Sequence, residues 1–243
     1  MWLHAPVEET DAQGYRRRTT RNKDEGRGCP QGAPISPLLA NLYMRRFILG
    51  WKTLGHERRL QAKIVNYADD FVICCRGTAV QAMAVMRTMM SRLELTINEQ
   101  KTHICRLPDE SFDFLGYTLG RCYSPQTGLR FIGQRPSHKK IRSLCARISE
   151  ETSASTGRQD VAEIVKRLNA MLQGWANYFC LGPVSKAYRQ VTNHARQHLR
   201  QWLSRKHKQR GLGYTRYPDP YLHGELGLVT LRLVDRHVPW ATA

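Results

Sequence analysis

Apolar residues recur every three or four positions in the second half of the chain. One such series comprises Val161, Ile164, Val165, Leu168, Leu172, Trp175 and Phe179. This period predicts an amphipathic helix, because residues three and four apart share one helix face. A further helix of the same kind is predicted from about 186 to 208, and a shorter one from about 138 to 150. The second half is therefore expected to be helical.

The first half also contains strand patterns. Residues 63–75 place β-branched and aromatic side chains on both sides of a short polar centre. This arrangement predicts a hairpin that turns at or near Ala68, Asp69 and Asp70, between strands too apolar to be exposed on both faces. Residues 112–119 predict another pair of strands.

Two helices are predicted on either side of the hairpin. Ser36 is a favourable N-cap and Pro37 suits the first helical position, so a helix is expected from there to about Leu49. Its side chains expected to face the core are Leu38, Leu39, Leu42, Phe47 and Ile48. A second helix is expected to follow Thr78. Residues 16–27, by contrast, are polar and charged, which predicts an exposed loop or arm.

These patterns predict the α+β fold class, with an antiparallel sheet and helices followed by a helical region. We expect four regions along the chain. They are a sheet-and-helix domain over residues 1–120, a connector over 121–135, a helical domain over 136–210 and a tail over 211–243.

The charge of the chain indicates a polyanionic partner. Its 243 residues carry 38 Lys and Arg against 20 Asp and Glu, a formal net charge of +18. Residues 1–120 contribute +4 of this surplus and residues 121–243 contribute +14. Such a surplus is most often associated with nucleic acid, so a phosphate-binding face is expected in the second half.

Composition also excludes several classes of protein. No apolar run approaches the roughly 20 residues that cross a bilayer, and no signal peptide follows Met1. The seven cysteines include no pair with the spacing of a zinc ribbon or a redox site. We therefore expect a cytoplasmic protein with reduced thiols and no membrane partner.

Asp69 and Asp70 are the first candidates for chemistry. Adjacent carboxylates held between apolar strands repel each other unless a cation lies between them, and hard oxygen ligands suit Mg²⁺. Two ions about 3.5–4 Å apart would stabilise both the attacking and the leaving oxygen in phosphoryl transfer. The alternative is a solvated Asp-Asp turn, which is favoured for an isolated dipeptide.

Five segments of the chain occur together in the order found in one enzyme family. They are residues 28–44 with Pro30, Gln31 and Gly32, residues 67–70 with the two aspartates, and residues 95–102, 112–117 and 168–179. In this combination the chain resembles the reverse transcriptases encoded by group II introns, also called intron maturases. The resemblance covers most of residues 28–210, and five segments in order are more specific than any one of them.

The resemblance implies a partial reverse transcriptase palm over residues 1–120 and a helical thumb, called domain X, over residues 136–210. It implies that Asp69 and Asp70 are catalytic ligands of Mg²⁺. It also implies that Lys101 is an active-site lysine, which could neutralise or protonate the pyrophosphate leaving group.

Two further groups of site residues are implied by the same resemblance. Those bordering the incoming nucleotide are Pro30, Gln31, Gly32, Tyr67 and Ala68. Glycine suits such a place because the absence of Cβ lets a ligand approach closely. Those gripping the primer are Phe114, Leu115 and Gly116.

Basic residues of the second half are candidates for nucleic-acid binding. They are Arg135, Lys139, Lys140, Arg189, Arg196, Arg200 and Arg205, and the last four are expected to point outward from their helix. Solubilising charge is the alternative, but the surplus of +14 favours a phosphate-binding face.

Other residues of these helices have two possible roles. His194 and His198 have a spacing that zinc ligands use, but no nearby acidic residue or cysteine completes a set, so a solvated face is favoured. Trp175, Tyr178 and Trp202 could stack on bases. Both tryptophans fall on apolar stripes, which favours the core for them.

One expected part of the family's active site has no match in the chain. The family's palm takes another metal-binding aspartate from a strand upstream of the Pro-Gln-Gly loop, and the fingers precede that strand. The acidic residues before Gly28 are Glu8, Glu9, Asp11, Asp24 and Glu25, and they lie in no apolar strand. We therefore expect an incomplete two-metal site and a chain that is not active alone.

Three functional hypotheses follow. The chain is the C-terminal part of an RNA-directed DNA polymerase and maturase that binds intron RNA or an RNA/DNA primer-template. Alternatively, it is a non-catalytic, RNA-binding maturase remnant, or one part of a split enzyme that works beside an upstream reverse transcriptase fragment. The residues alone leave all three open.

Overall fold

The computed structural model describes residues 34–124, 127–211 and 213–232, together with the backbone of residues 7–10 and 16–19. The chain divides into two compact units, Met1–Ile104 and Cys105–Ala243. Both units combine antiparallel strands with helices, which confirms the α+β class.

The first unit contains two pairs of antiparallel strands and three helices among its described elements. Its described elements are β1 (Val7–Thr10), β2 (Arg16–Thr19), α1 (Ile35–Thr53), α2 (His56–Arg59), β3 (Lys63–Tyr67), β4 (Asp70–Cys74) and α3 (Ala79–Arg92). The strands pair antiparallel as β1 with β2 and β3 with β4. The predicted hairpin over residues 63–75 and the helix after Thr78 are confirmed. The predicted loop over residues 16–27 is wrong for Arg16–Thr19, which form β2.

Helix α1 buries only part of the face expected, since Phe47 and Ile48 face the core but Leu38 and Leu42 do not. It begins one residue before Ser36, with Pro34 at the N-cap position. Its buried side chains are Met44, Phe47 and Trp51, whereas Leu38 and Leu42 are 65% and 54% exposed. The buried face packs with the inner face of the β3–β4 hairpin and with α3, and the Phe47 and Phe71 rings lie 5.3 Å apart.

The second unit combines a sheet with three long helices. Its described elements are β5 (Phe112–Phe114), β6 (Tyr117–Tyr123), β7 (Arg130–Pro136), α4 (His138–Glu151), a 3₁₀ turn (Ala154–Thr156), α5 (Val161–Tyr178), α6 (Ser185–Lys206) and a π-helical turn (Tyr221–Glu225). The strands form one antiparallel sheet in the order β5-β6-β7. Among the described residues, no helix has the length and apolarity that a membrane span requires.

The boundaries between regions differ from those expected. Residues 121–135, expected to be a connector, contribute to paired strands β6 and β7. The division into compact units follows Ile104, so the strands from residue 112 onward belong with the helices after them. As functional domains, the four regions drawn from the sequence stay predictions.

The helical periodicity is confirmed in the second unit. Its core contains side chains with no exposed surface on each helix, including Ile148 of α4, Leu168 of α5 and Leu199 of α6. The carboxylate of Asp160 accepts a hydrogen bond of 3.0 Å from the Ala162 amide and so caps α5.

The segment after α6 belongs to the same core. Its buried side chains are Tyr217, Leu222, Leu228 and Leu231. The Asn169 side chain of α5 donates to the Gly227 carbonyl and accepts from the Val229 amide, both at 2.9 Å. This part of the expected tail is therefore packed on the helices.

Candidate functional site

The predicted metal ligands lie at the tip of the β3–β4 hairpin. Tyr67 pairs with Asp70, and Ala68 and Asp69 form the turn between them. Ala68 has a φ of 53°, in the left-handed region that two-residue hairpin turns use. The turn therefore places the two aspartates next to each other at the end of the hairpin.

Among the described residues, one face of this hairpin is covered and the other is exposed. Ile64, Phe71 and Ile73 pack against the core, whereas Val65 and Tyr67 are 52% and 64% exposed. The strands are therefore not exposed on both faces, as expected, although the outer face is open to solvent.

The donor set at the tip suits a hard cation. Asp69 and Asp70 are exposed, and neither carboxylate forms an ion pair within the described part of the chain. Carboxylate oxygens are the ligands that Mg²⁺ prefers. Over the residues that the structure describes, no third His, Cys, Asp or Glu completes a metal-binding group with them. The pair fits Mg²⁺ chemically as part of a site.

Lys101 lies exposed in a turn that follows α3. Its backbone amide donates to the Asn98 carbonyl and side-chain oxygens, at 3.1 and 3.2 Å. Next to it, Glu99 accepts two hydrogen bonds from the Arg87 guanidinium of α3, which lower the pKa of the Glu99 carboxyl. The ion pair between Arg87 and Glu99 therefore connects the turn that carries Lys101 to α3. Sequence patterns did not indicate it.

The residues expected at the nucleotide fall into two groups. Tyr67 and Ala68 lie at the hairpin tip, beside the aspartates. Pro30, Gln31 and Gly32 lie outside the described residues.

The expected primer grip is a tight turn in the second unit. Leu115 and Gly116 join β5 to β6 with φ values of 51° and 83°. The Tyr178 hydroxyl donates to the Leu115 carbonyl at 2.8 Å, and the Ser137 amide donates to the Gly116 carbonyl at 2.9 Å. The turn is therefore fixed between the end of α5 and the start of α4.

Two of the predicted basic residues lie near this turn. A Cβ on Gly116 would lie 3.2 Å from carbon atoms of Lys140 and of Phe179, so glycine allows their close approach. Lys139 and Lys140 are both exposed in the first turn of α4. The structure thus brings the expected primer grip together with exposed positive charge.

The other predicted basic residues differ in exposure. Arg189 is exposed, and Arg135 is half-buried and donates to the Arg121 carbonyl at 3.2 Å. Arg205 is exposed but donates to the Thr152 carbonyl at 2.6 Å.

Arg200 is buried, contrary to the position expected from the sequence. The residue is 4% exposed, so the expectation that it points outward is wrong. Its Nε donates to the Tyr217 carbonyl at 2.8 Å, its guanidinium lies 4.4 Å from the Tyr214 ring centroid, and it also pairs with Asp219. Arg196 shares that carboxylate and is itself partly covered. Both arginines hold the segment after α6 against the helix.

The two histidines of α6 are half-buried and stacked. Their ring centroids lie 4.1 Å apart, and His194 Nε2 lies 3.0 Å from the Cys145 carbonyl and 3.1 Å from the Ser149 hydroxyl of α4. Burial lowers the pKa of His198, and the nearby His194 and Arg205 lower it further. The favoured interpretation of a solvated face is therefore wrong in part, since both rings are half-buried and His194 contacts α4.

Both tryptophans of the helices contribute to the core. Trp202 is 1% exposed, and its Nε1 donates to the Thr156 hydroxyl at 3.0 Å. Trp175 is half-buried against the same core, with its ring centroid 4.8 Å from that of Phe179. Tyr178 is 54% exposed, although its hydroxyl is bonded to Leu115.

Two family models match the chain. The reverse transcriptase (RNA-dependent DNA polymerase) family matches residues 2–119, and the maturase-specific domain of group II introns matches residues 141–217. Together the two matches support a group II intron reverse transcriptase or maturase. The first match contains the hairpin tip and Lys101, and the second contains α5 and α6.

A curated relative also matches. Protein YkfC of Escherichia coli (strain K12) is 29% identical to the chain over 157 residues, a match that covers 50% of this chain and 40% of YkfC. The match therefore spans less than half the length of YkfC.

Proposed function

We propose that the chain binds RNA or an RNA/DNA primer-template and contributes the palm hairpin and thumb of a group II intron reverse transcriptase. The observation that carries the proposal is the hairpin tip. There, Asp69 and Asp70 are adjacent and exposed, and no described residue forms an ion pair with either. Carboxylates in this state can bind a divalent cation.

Asp69 and Asp70 would hold the Mg²⁺ ions. When bound, Mg²⁺ stabilises the negative charge that develops on the attacking and leaving oxygens in phosphoryl transfer. Lys101 is exposed on the turn that Asn98 closes. Its ammonium group would protonate the pyrophosphate leaving group or neutralise its charge. Tyr67 and Ala68 would border the nucleotide.

The remaining nucleotide contacts and the primer contacts would come from loops. Pro30, Gln31 and Gly32 would complete the nucleotide pocket. The turn of Phe114, Leu115 and Gly116 would hold the primer strand. Hydrogen bonds to the Leu115 and Gly116 carbonyls keep this turn in one conformation, so it would offer the primer a fixed surface. Lys139 and Lys140 would bind phosphates beside that turn.

Polymerisation would need a further carboxylate. No third metal-binding side chain joins Asp69 and Asp70 among the described residues. The resemblance assigns a further ligand to a palm strand ahead of the Pro-Gln-Gly loop. We therefore expect the purified chain, given Mg²⁺, a primed RNA template and deoxynucleotides, to extend the primer at background level.

A complementation experiment tests this proposal. A related upstream fragment that carries the palm aspartate is added in trans or fused ahead of Met1, and primer extension is measured. We expect restored extension that Asp69→Asn abolishes and Lys101→Ala reduces by about 10²- to 10⁴-fold. Glu94→Gln is the matched control, because it removes an exposed carboxylate of the same unit away from the hairpin tip.

Two outcomes would contradict the proposal. Extension that persists in Asp69→Asn would show that this carboxylate is not a metal ligand. Extension by the unaided chain would show that an acidic residue such as Glu8, Glu9 or Asp11 completes the site. Binding of Mn²⁺, followed by electron paramagnetic resonance, gives a readout that is independent of turnover.

A second candidate function is RNA binding without catalysis. It is favoured by the net charge of +14 in residues 121–243, the part of the chain that contains the maturase match. In that case Asp69→Asn would leave RNA affinity and intron splicing unchanged, and no upstream fragment would restore extension. Salt-dependent RNA affinity is expected under both candidates.

We also propose that the chain acts in the cytoplasm. All six cysteines in the described part of the chain are free thiols, namely Cys74, Cys75, Cys105, Cys122, Cys145 and Cys180. Reduced cysteines are usual in that compartment.

A further inference from the structure

A groove lies between the first half of α6 and residues 230–232, which follow the π-helical turn. Its volume is about 430 Å³, within the range of roughly 300–1,000 Å³ of ligand sites. Its polar lining includes Arg189, Thr192, Asn193 and Arg196 of α6 and Thr230 and Arg232 of the facing segment. We call it the α6 groove.

The facing wall of the α6 groove is fixed by hydrogen bonds. Asn169 binds the segment at Gly227 and Val229, and the Leu231 amide donates to the Thr192 hydroxyl at 3.4 Å. Leu231 is also buried in the core of the unit. The two sides of the groove therefore keep their separation without a ligand.

The charge of the α6 groove is positive. Three of its lining residues are arginines and none is acidic. Arg196 and Arg200 both form ion pairs with Asp219, so one carboxylate neutralises only one of the two positive charges. Arg189 and Arg232 form no ion pair with any residue that the structure describes. Their guanidinium groups are exposed and available to an anion.

The other lining side chains are neutral hydrogen-bonding groups. Hydroxyls and an amide come from Thr192, Thr230 and Asn193, so the groove offers donors between its positive charges. Guanidinium groups bind phosphate oxygens with two parallel hydrogen bonds, and neutral side chains often bind the same backbone. An RNA strand repeats its phosphates, so it can contact separate arginines at once.

We propose that the α6 groove binds the phosphodiester backbone of an RNA strand, with Arg189 and Arg232 as its main contacts. This inference rests on the proposed RNA binding and locates part of it. Sequence analysis indicated Arg189 but not Arg232, which lies outside the predicted helical region. The two residues face one groove because the segment after α6 folds back along that helix.

The experiment measures RNA binding by the full chain. Fluorescence anisotropy of a short labelled RNA oligonucleotide gives the affinity over a series of KCl concentrations. The test variant is Arg189→Gln with Arg232→Gln. The matched control is Arg158→Gln with Arg210→Gln, which removes the same charge from exposed residues of the same unit that do not line the groove.

We expect the groove variant to bind RNA about tenfold or more weakly. The slope of log affinity against log salt should decrease by about 1.4, at roughly 0.7 per lost phosphate contact. The control should change affinity by less than about threefold, because screening weakens the effect of distant charges. Thermal unfolding should be unchanged in both variants, since all four residues are exposed.

The outcomes separate this inference from the function on which it rests. If the groove variant and the control bind RNA with equal affinity, the α6 groove is not the RNA site, while RNA binding by the chain still stands. Absence of salt-dependent RNA binding by the wild type would overturn both. Inorganic phosphate at constant ionic strength should not displace the RNA; displacement at low concentration would indicate a free-anion site and overturn the assignment to RNA.

Discussion

The helical core of the second unit is better covered than the hairpin face of the first. Leu168 and Leu199 have no exposed surface in the second unit. In the first unit, Leu42 of α1 is 54% exposed, and Val65 and Tyr67 of the hairpin are 52% and 64% exposed. The helices of the second unit therefore bury their apolar faces against one another, whereas α1 and the β3–β4 hairpin of the first unit each leave apolar side chains exposed.

The residues on which folding stability depends are therefore different from those proposed to carry the chemistry. Burial of apolar side chains is the main favourable contribution to folding, so the second unit should be the more sensitive to truncation of its leucines. The first unit carries its charged residues on an open surface, where a ligand can reach them. Asp69 and Asp70 lie at the tip of the hairpin whose outer face is exposed.

Leu168→Ala should have the largest effect on the free energy of unfolding. It removes a fully buried side chain from the second unit and should cost about 2–5 kcal/mol. Leu42→Ala is the matched change at an exposed position of α1 and should stay within about 0.5 kcal/mol. Urea unfolding followed by circular dichroism measures both. Equal losses of unfolding free energy in the two variants would contradict the difference in burial between these two positions.

Gly182→Ala should also destabilise the second unit strongly. Gly182 has a φ of 78°, and an added Cβ would clash with the Gln134 carbonyl oxygen of β7. Left-handed strain and the clash together should cost about 2–4 kcal/mol. Gly174→Ala, within α5 and with no atom near the added Cβ, should stabilise by about 0.5–1 kcal/mol. A stable Gly182→Ala protein would contradict the close packing of this loop on the sheet.

Arg200→Gln should cost about 1–3 kcal/mol, because the Tyr217 carbonyl loses its charged donor in a buried place. Arg189→Gln, on the same helix but exposed, should leave the free energy of unfolding within about 0.5 kcal/mol of wild type. Thermal unfolding distinguishes them. If both were neutral, Arg200 would not hold the segment after α6.

The smallest expected effect is a pH dependence from His198. Its pKa is lowered below 6.5 in the folded protein, chiefly by burial, so the unfolded chain takes up a proton first on acidification. Stability should therefore be unaffected well above pH 6.5, decrease as the pH falls through 6.5, and level off below the folded pKa. His198→Asn should reduce this loss in unfolding measured from neutral to mildly acid pH. An unchanged profile would exclude His198 as its source.

Local patterns in the sequence determined the elements and the family. The period of apolar residues located α4, α5 and α6, since side chains on one helix face must be buried together. The polar centre between apolar runs located the hairpin and its turn at Asp69. The order of five motifs indicated the family that the two matches support.

Which surfaces are covered was decided by the tertiary structure alone. Helix α1 has apolar residues on more than one face, so its pattern did not show that Phe47 is buried while Leu42 is exposed. Charge did not distinguish Arg189 from Arg200, because only the fold brings Asp219 and the Tyr217 carbonyl to Arg200. Periodicity reports which residues share a face, whereas the partner of that face comes from residues distant in the chain.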